Sequence, residues 1–111
     1  MATYLKKIIL WSFTAVLLLF SFNLNALTLD ENRKTVTLLG SSSNNGGHVG
    51  FAEPVDKNCA WGVLYFDVST PAGKSFLAIF IVAKTTGQKV RVVYTPPSSV
   101  GACNLDLAAL Q

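Results

Sequence analysis

The first 26 residues read as an export signal, and this limits what is left to fold. Lys6 and Lys7 form a positive n-region, and Ile8 to Phe22 is an apolar h-region interrupted only by Ser12, Thr14 and Ser21. Leu24-Asn25-Ala26 then offers a small-residue cleavage site after Ala26. The rival reading is a retained membrane anchor. An apolar run of about 15 residues falls short of the roughly 20 that span a bilayer as a helix, and the next charges are Asp30 and Glu31 rather than a basic stop-transfer cluster. The expected organisation is therefore a cleaved signal over 1–26 and a single small domain over 27–111, secreted or periplasmic, with no membrane association after cleavage.

Removing 26 of 111 residues leaves 85, enough for one domain with a modest core. Lys6 and Lys7 leave with the signal, so nine basic and six acidic residues become seven and six, a net charge of +1. No basic stripe of the kind that nucleic-acid binding requires is present. Arg33-Lys34, and Lys89 with Arg91, read as solvated strand edges. Cys59 and Cys103 both survive cleavage. In an oxidising compartment two cysteines in a small domain most often pair. The 44-residue spacing gives a chain-entropy stabilisation of roughly 4 kcal/mol. A redox or metal site is the alternative reading, but there is no CxxC and His48 is the only histidine.

Leu27 to Asn32 reads as a lead-in. Lys34 to Gly40 alternates as a strand. Ser41 through Gly47, with Asn44 and Asn45 at its centre, is a turn-forming loop. His48 to Val55 is a weaker strand that Pro54 limits, giving a hairpin with a polar tip. Ala60 to Val68 is the strongest strand. Leu64, Phe66 and Val68 line one face and Trp61, Val63, Tyr65 and Asp67 the other, so both faces are largely apolar. Thr70-Pro71 is a helix start and Gly87 a helix stop. Between them Phe76, Leu77, Ile79, Phe80 and Ala83 form one stripe, while Ile81 and Val82 fall toward the polar half, where they either dilute the pattern or face a second subunit. Lys89 to Thr95 and Cys103 to Leu110 are the last two strands, after the stiff Pro96-Pro97 loop. The order expected is β-β-β-α-β-β.

Catalysis finds little support. The lone His48 lies in a weak strand, and the six acids Asp30, Glu31, Glu53, Asp56, Asp67 and Asp106 show no spacing that sets two carboxyls across a cleft. Asp67 reads more plainly as a strand-end acid capping the Thr70 turn. No phosphate loop, zinc motif or EF-hand is present, so no cofactor is expected. Binding is easier to support. Trp61 and Tyr65 share a strand face, and Asn44 and Asn45 add amides at a loop tip, a combination suited to a polyol. The alternative is that Trp61 and Tyr65 close the far side of a small barrel.

The segment from Phe76 to Pro97, with Thr86-Gly87-Gln88 at the helix end and Val90-Arg91-Val92-Val93-Tyr94 in the strand that follows, resembles the B subunits of pertussis- and subtilase-type bacterial toxins. The chain is also similar to small secreted Gram-negative proteins that share a Gly-Lys helix start, here Gly73-Lys74, and a late cysteine. The resemblance implies a mainly β fold, a small Greek-key barrel of the oligosaccharide-binding type with about five strands and one helix. It also implies a ring of subunits with helices toward its centre. It transfers no binding residue. The function expected is a secreted, non-enzymatic binding module for a cell-surface glycan or protein partner, able to form a homo-oligomer. The alternatives are a structural or inhibitory protein acting by protein contact alone, and a small hydrolase. Trp61, Tyr65, Asn44, Asn45, Ile81 and Val82 are the candidate ligand or interface residues.

Overall fold

The computed structural model describes residues 27–111; the signal expected over 1–26 lies outside the described residues. Among the described residues six strands and one helix follow in the order β1 (Leu29–Lys34), β2 (Val36–Ser41), β3 (Gly46–Phe51), β4 (Cys59–Asp67), α1 (Pro71–Thr86), β5 (Val90–Thr95) and β6 (Gly101–Leu110). The fold is mainly β with one helix, as expected. All strands join one sheet, in the order β1-β5-β6-β4-β3-β2. Neighbours are antiparallel except β4 and β6, which run parallel.

Two expectations are corrected. The lead-in is itself a strand: Leu29, Asp30 and Glu31 pair with Tyr94, Val93 and Val92. The order is thus β-β-β-β-α-β-β, with six strands rather than about five. No ladder joins the edge strands β1 and β2, so the sheet stays open and is not the closed barrel expected. Its two edges are nonetheless consecutive in the chain, with Thr35 alone between them.

The helix forms where its local signals place it. Thr70 Oγ1 accepts from the Gly73 N–H at 2.9 Å, Pro71 fills the first turn where no amide partner is needed, and Gly87 closes the end at φ 75° with its N–H on the Ala83 carbonyl at 2.9 Å. Phe80 and Ala83 are buried, and Phe76, Leu77 and Ile79 pack on the core, so the predicted stripe is the packed one. Across the sheet, Leu39, Val49, Leu64 and Cys103 stand in register beneath the helix. Phe66 meets Phe76 edge-on at 6.2 Å and Phe80 at 5.7 Å.

Cys59 and Cys103 are joined, with Cα atoms 5.2 Å apart, across the parallel β4–β6 pair. The connection over 52–58 is tied back to the sheet by Lys34 Nζ on the Pro54 carbonyl (2.7 Å), the Asp56 N–H on Tyr94 Oη (2.9 Å) and Asn58 Nδ2 on the Pro97 carbonyl (3.0 Å). Lys34 is therefore no solvated edge residue. It is 6% exposed and pairs with Glu31 at 3.0 Å. Among the described residues no helix is long and apolar enough to cross a membrane.

Candidate functional site

Strand alternation places Leu64 and Phe66 under the helix and turns Tyr65 to the opposite face. Register then assembles a row on that outer face. Gly40 pairs with His48, His48 with Tyr65, Tyr65 with Asn104, and Asn104 with Thr95, so the row crosses β2, β3, β4, β6 and β5. Its centre is an aromatic pair, the His48 and Tyr65 rings 6.4 Å apart and inclined at 54°. Both side chains are half-buried and Asn104 is exposed. The row thus offers an aromatic ring, an imidazole and an amide on one side of the sheet. Sugars and polar peptides are bound by such mixtures of flat apolar surface and hydrogen-bonding groups.

Glycine shapes this surface. A Cβ on Gly40 would lie 2.6 Å from His48 Nε2, so the imidazole lies against the β2 backbone only because no side chain stands there. One row over, a Cβ on Gly50 would lie 3.2 Å from Leu38 Cβ and 3.5 Å from Val63 Cγ1. Leu38 and Val63 close over that backbone, leaving Val63 buried and Leu38 half exposed.

β4 bulges around Trp61. The strand advances from Cys59 to Leu64 while β6 advances only from Gly101 to Cys103. Trp61 (φ 63°) and Gly62 (φ 66°) take left-handed backbone in the extra length. Bulges of this kind redirect side chains, and Trp61 is 90% exposed, the most exposed large apolar residue described. Simple alternation puts Trp61 and Tyr65 on one face; the bulge interrupts the unbroken ladder on which that reading rests. Val100, which precedes the β6 residue paired with Cys59, is also exposed.

Asn44 and Asn45 lie at the exposed tip of the β2–β3 hairpin. Ile81 and Val82 lie on the solvent side of α1, 46% and 41% exposed. The structure therefore divides the six predicted residues among four places: the outer row, the bulge, the hairpin tip and the helix. His48 and Asn104, central to the row, were missed as site residues. Their signal was the alternation of β3 and β6, readable only once the strand order is known.

Asp67 behaves as its position suggested. Its carboxylate accepts from the Ser69 hydroxyl at 2.6 Å and the Ser69 N–H at 2.8 Å, and these bonds hold it below the usual carboxylate range. Among the described residues no group of three or more His, Cys, Asp or Glu side chains could hold a metal ion. Comparison with protein-family models, curated proteins and solved structures finds no match in any of the three.

Proposed function

We propose that this chain is an exported, non-enzymatic binding module that receives a cell-surface glycan on the outer face of β3 and β4. The observation that carries the reading is the row Gly40–His48–Tyr65–Asn104: one aromatic face, one imidazole and one amide aligned across four strands on the side away from the helix. A sugar ring stacks its C–H face on an aromatic and presents hydroxyls to groups such as Asn104 and His48. Export is supported by the disulfide and by the signal-like residues 1–26.

If residues 29–41 count as one bent strand, the chain has five strands with the helix between the third and fourth. That is the pattern of a partly open oligosaccharide-binding-type barrel, whose second and third strands and first hairpin loop commonly form the ligand face. Here those are β3, β4 and residues 42–45. The likeness to toxin B subunits, a ring of subunits included, stands as part of this proposal and rests on the quoted motif alone.

The test is a glycan array probed with the oxidised protein, then titration of any retained sugar. Tyr65→Ala and Asn104→Ala are expected to abolish retention while leaving the fold intact by circular dichroism. Retention that survives both substitutions would move the ligand elsewhere; an array with no retained glycan would count against the reading. A second reading, contact with a protein partner alone, is favoured by the exposed Trp61 and Val100. It predicts that loss of Trp61, and not of Tyr65, abolishes binding.

A further inference from the structure

The tip of the β2–β3 hairpin carries an Asn45–Gly46 step with an unusual set of constraints. Residues 41–45 are all exposed. Asn45 is held in the left-handed region at φ 60°. The carbonyls on either side of the Gly46 nitrogen are both engaged: the Asn45 carbonyl accepts from the Val68 N–H at 2.9 Å, and the Gly46 carbonyl accepts from the Ser42 N–H at 2.7 Å. Gly46 opens β3 and stands opposite Asp67 in the β3–β4 register. Gly46 carries no side chain to shield its nitrogen from the Asn45 side chain.

We propose that Asn45 is a site of spontaneous deamidation, at which the Gly46 nitrogen attacks the side-chain carbonyl carbon and converts the amide to an acid. The nitrogen lone pair forms a bond to Cγ. The Cγ–Nδ2 bond breaks, and Nδ2 leaves as ammonia carrying the proton that Gly46 gives up. Water then adds to one of the two carbonyls of the cyclic imide and breaks one of its C–N bonds. Opening at Cγ gives aspartate; opening at the main-chain carbonyl gives isoaspartate, in which the backbone runs through the former side chain.

The other described asparagines are placed differently. Asn58 Nδ2 is held on the Pro97 carbonyl, Asn32 Oδ1 accepts from Gln111, and Asn104 is followed by the buried Leu105 within β6. Asn44 precedes another asparagine rather than a glycine. Either product puts a negative charge on a tip that is neutral as synthesised. The isoaspartyl form also lengthens the chain between the Ser42 and Val68 anchors, which set the register of the hairpin. This inference is independent of the glycan reading.

The test uses protein recovered in its exported form from cells expressing the full chain, incubated for days at mildly alkaline pH. Intact-mass measurement is expected to show the gain from replacing an amide by an acid, and peptide mapping to place it at Asn45 as both aspartate and isoaspartate. Gly46→Ala, whose Cβ meets only the movable Ser42 hydroxyl, is expected to slow conversion by about an order of magnitude. Conversion at Asn45 in denaturant but not in the folded protein would overturn the proposal, as would faster conversion at another asparagine.

Discussion

Trp61 is held in a backbone conformation that a bulky side chain seldom adopts, and its indole faces water. Left-handed backbone costs a non-glycine residue about 1–2 kcal/mol. Neither that cost nor the exposed ring contributes to the core. Trp61→Gly is expected to raise stability by about 1 kcal/mol, read as a higher urea midpoint. A lower midpoint would mean that the indole packs against the fold after all. Tyr94 is the opposite case, fully buried with its hydroxyl accepting from the Asp56 N–H. Burial pushes its pKa from 10.0 up to about 12. The unfolded chain gives up that proton near pH 10 and the folded chain only near pH 12, so stability falls as pH rises through this window. Tyr94→Phe is expected to flatten that alkaline loss. It should also cost about 1–2 kcal/mol at neutral pH, because the Asp56 N–H is left without its acceptor.

At the scale of elements, what could be read in advance was whatever is specified locally. The helix was legible because Thr70, Pro71 and Gly87 mark its ends through contacts within a few residues. The disulfide was legible because the expected export signal and a count of two cysteines point to a single pairing. Strand β1 was not: its residues Leu29–Lys34 are mostly polar, and they form a strand because β5 lies alongside, a partner some 60 residues away. The β4 bulge was hidden for a related reason, since a period of two assumes an unbroken ladder and Gly62 alone did not signal the break. The outer row needed both the strand order and the register, which no local pattern encodes. Thr70→Ala is expected to cost about 1 kcal/mol, and the double change Cys59→Ala, Cys103→Ala about 4 kcal/mol. Thermal unfolding of each variant checks the ranking; a cap that mattered more than the disulfide would mean that α1, not the β4–β6 link, limits stability.

At the scale of the whole molecule, the open question is what holds the two edges of the sheet together when no ladder does. The structure answers with side chains gathered at Thr35, the one residue between β1 and β2. Glu53 accepts from the Thr35 N–H at 2.5 Å and from the Thr35 hydroxyl at 2.8 Å, while the Ala52 N–H donates to the Thr35 carbonyl at 3.0 Å. Lys89, from the turn before β5, donates to the same hydroxyl. One carboxylate thus fixes the bend by which the chain leaves one edge of the sheet and enters the other. The Thr35 N–H holds the Glu53 pKa below its ordinary 4.5, with the Thr35 hydroxyl and the Lys89 charge adding to the effect. A carboxyl whose pKa is lower in the folded state contributes stability that is complete above its unfolded value. That contribution is lost as pH falls through the folded value. Stability should therefore decline below pH 4.5. Glu53→Gln, which removes the charge but keeps an acceptor, is expected to cost about 1–2 kcal/mol at neutral pH and to lose less on acidification than the parent protein does. Urea unfolding followed by circular dichroism at neutral and acid pH measures both. If the variant and the parent lose stability in parallel as pH falls, the bend is held by the Ala52–Thr35 bond and the Lys34 anchor, and Glu53 only lies beside it.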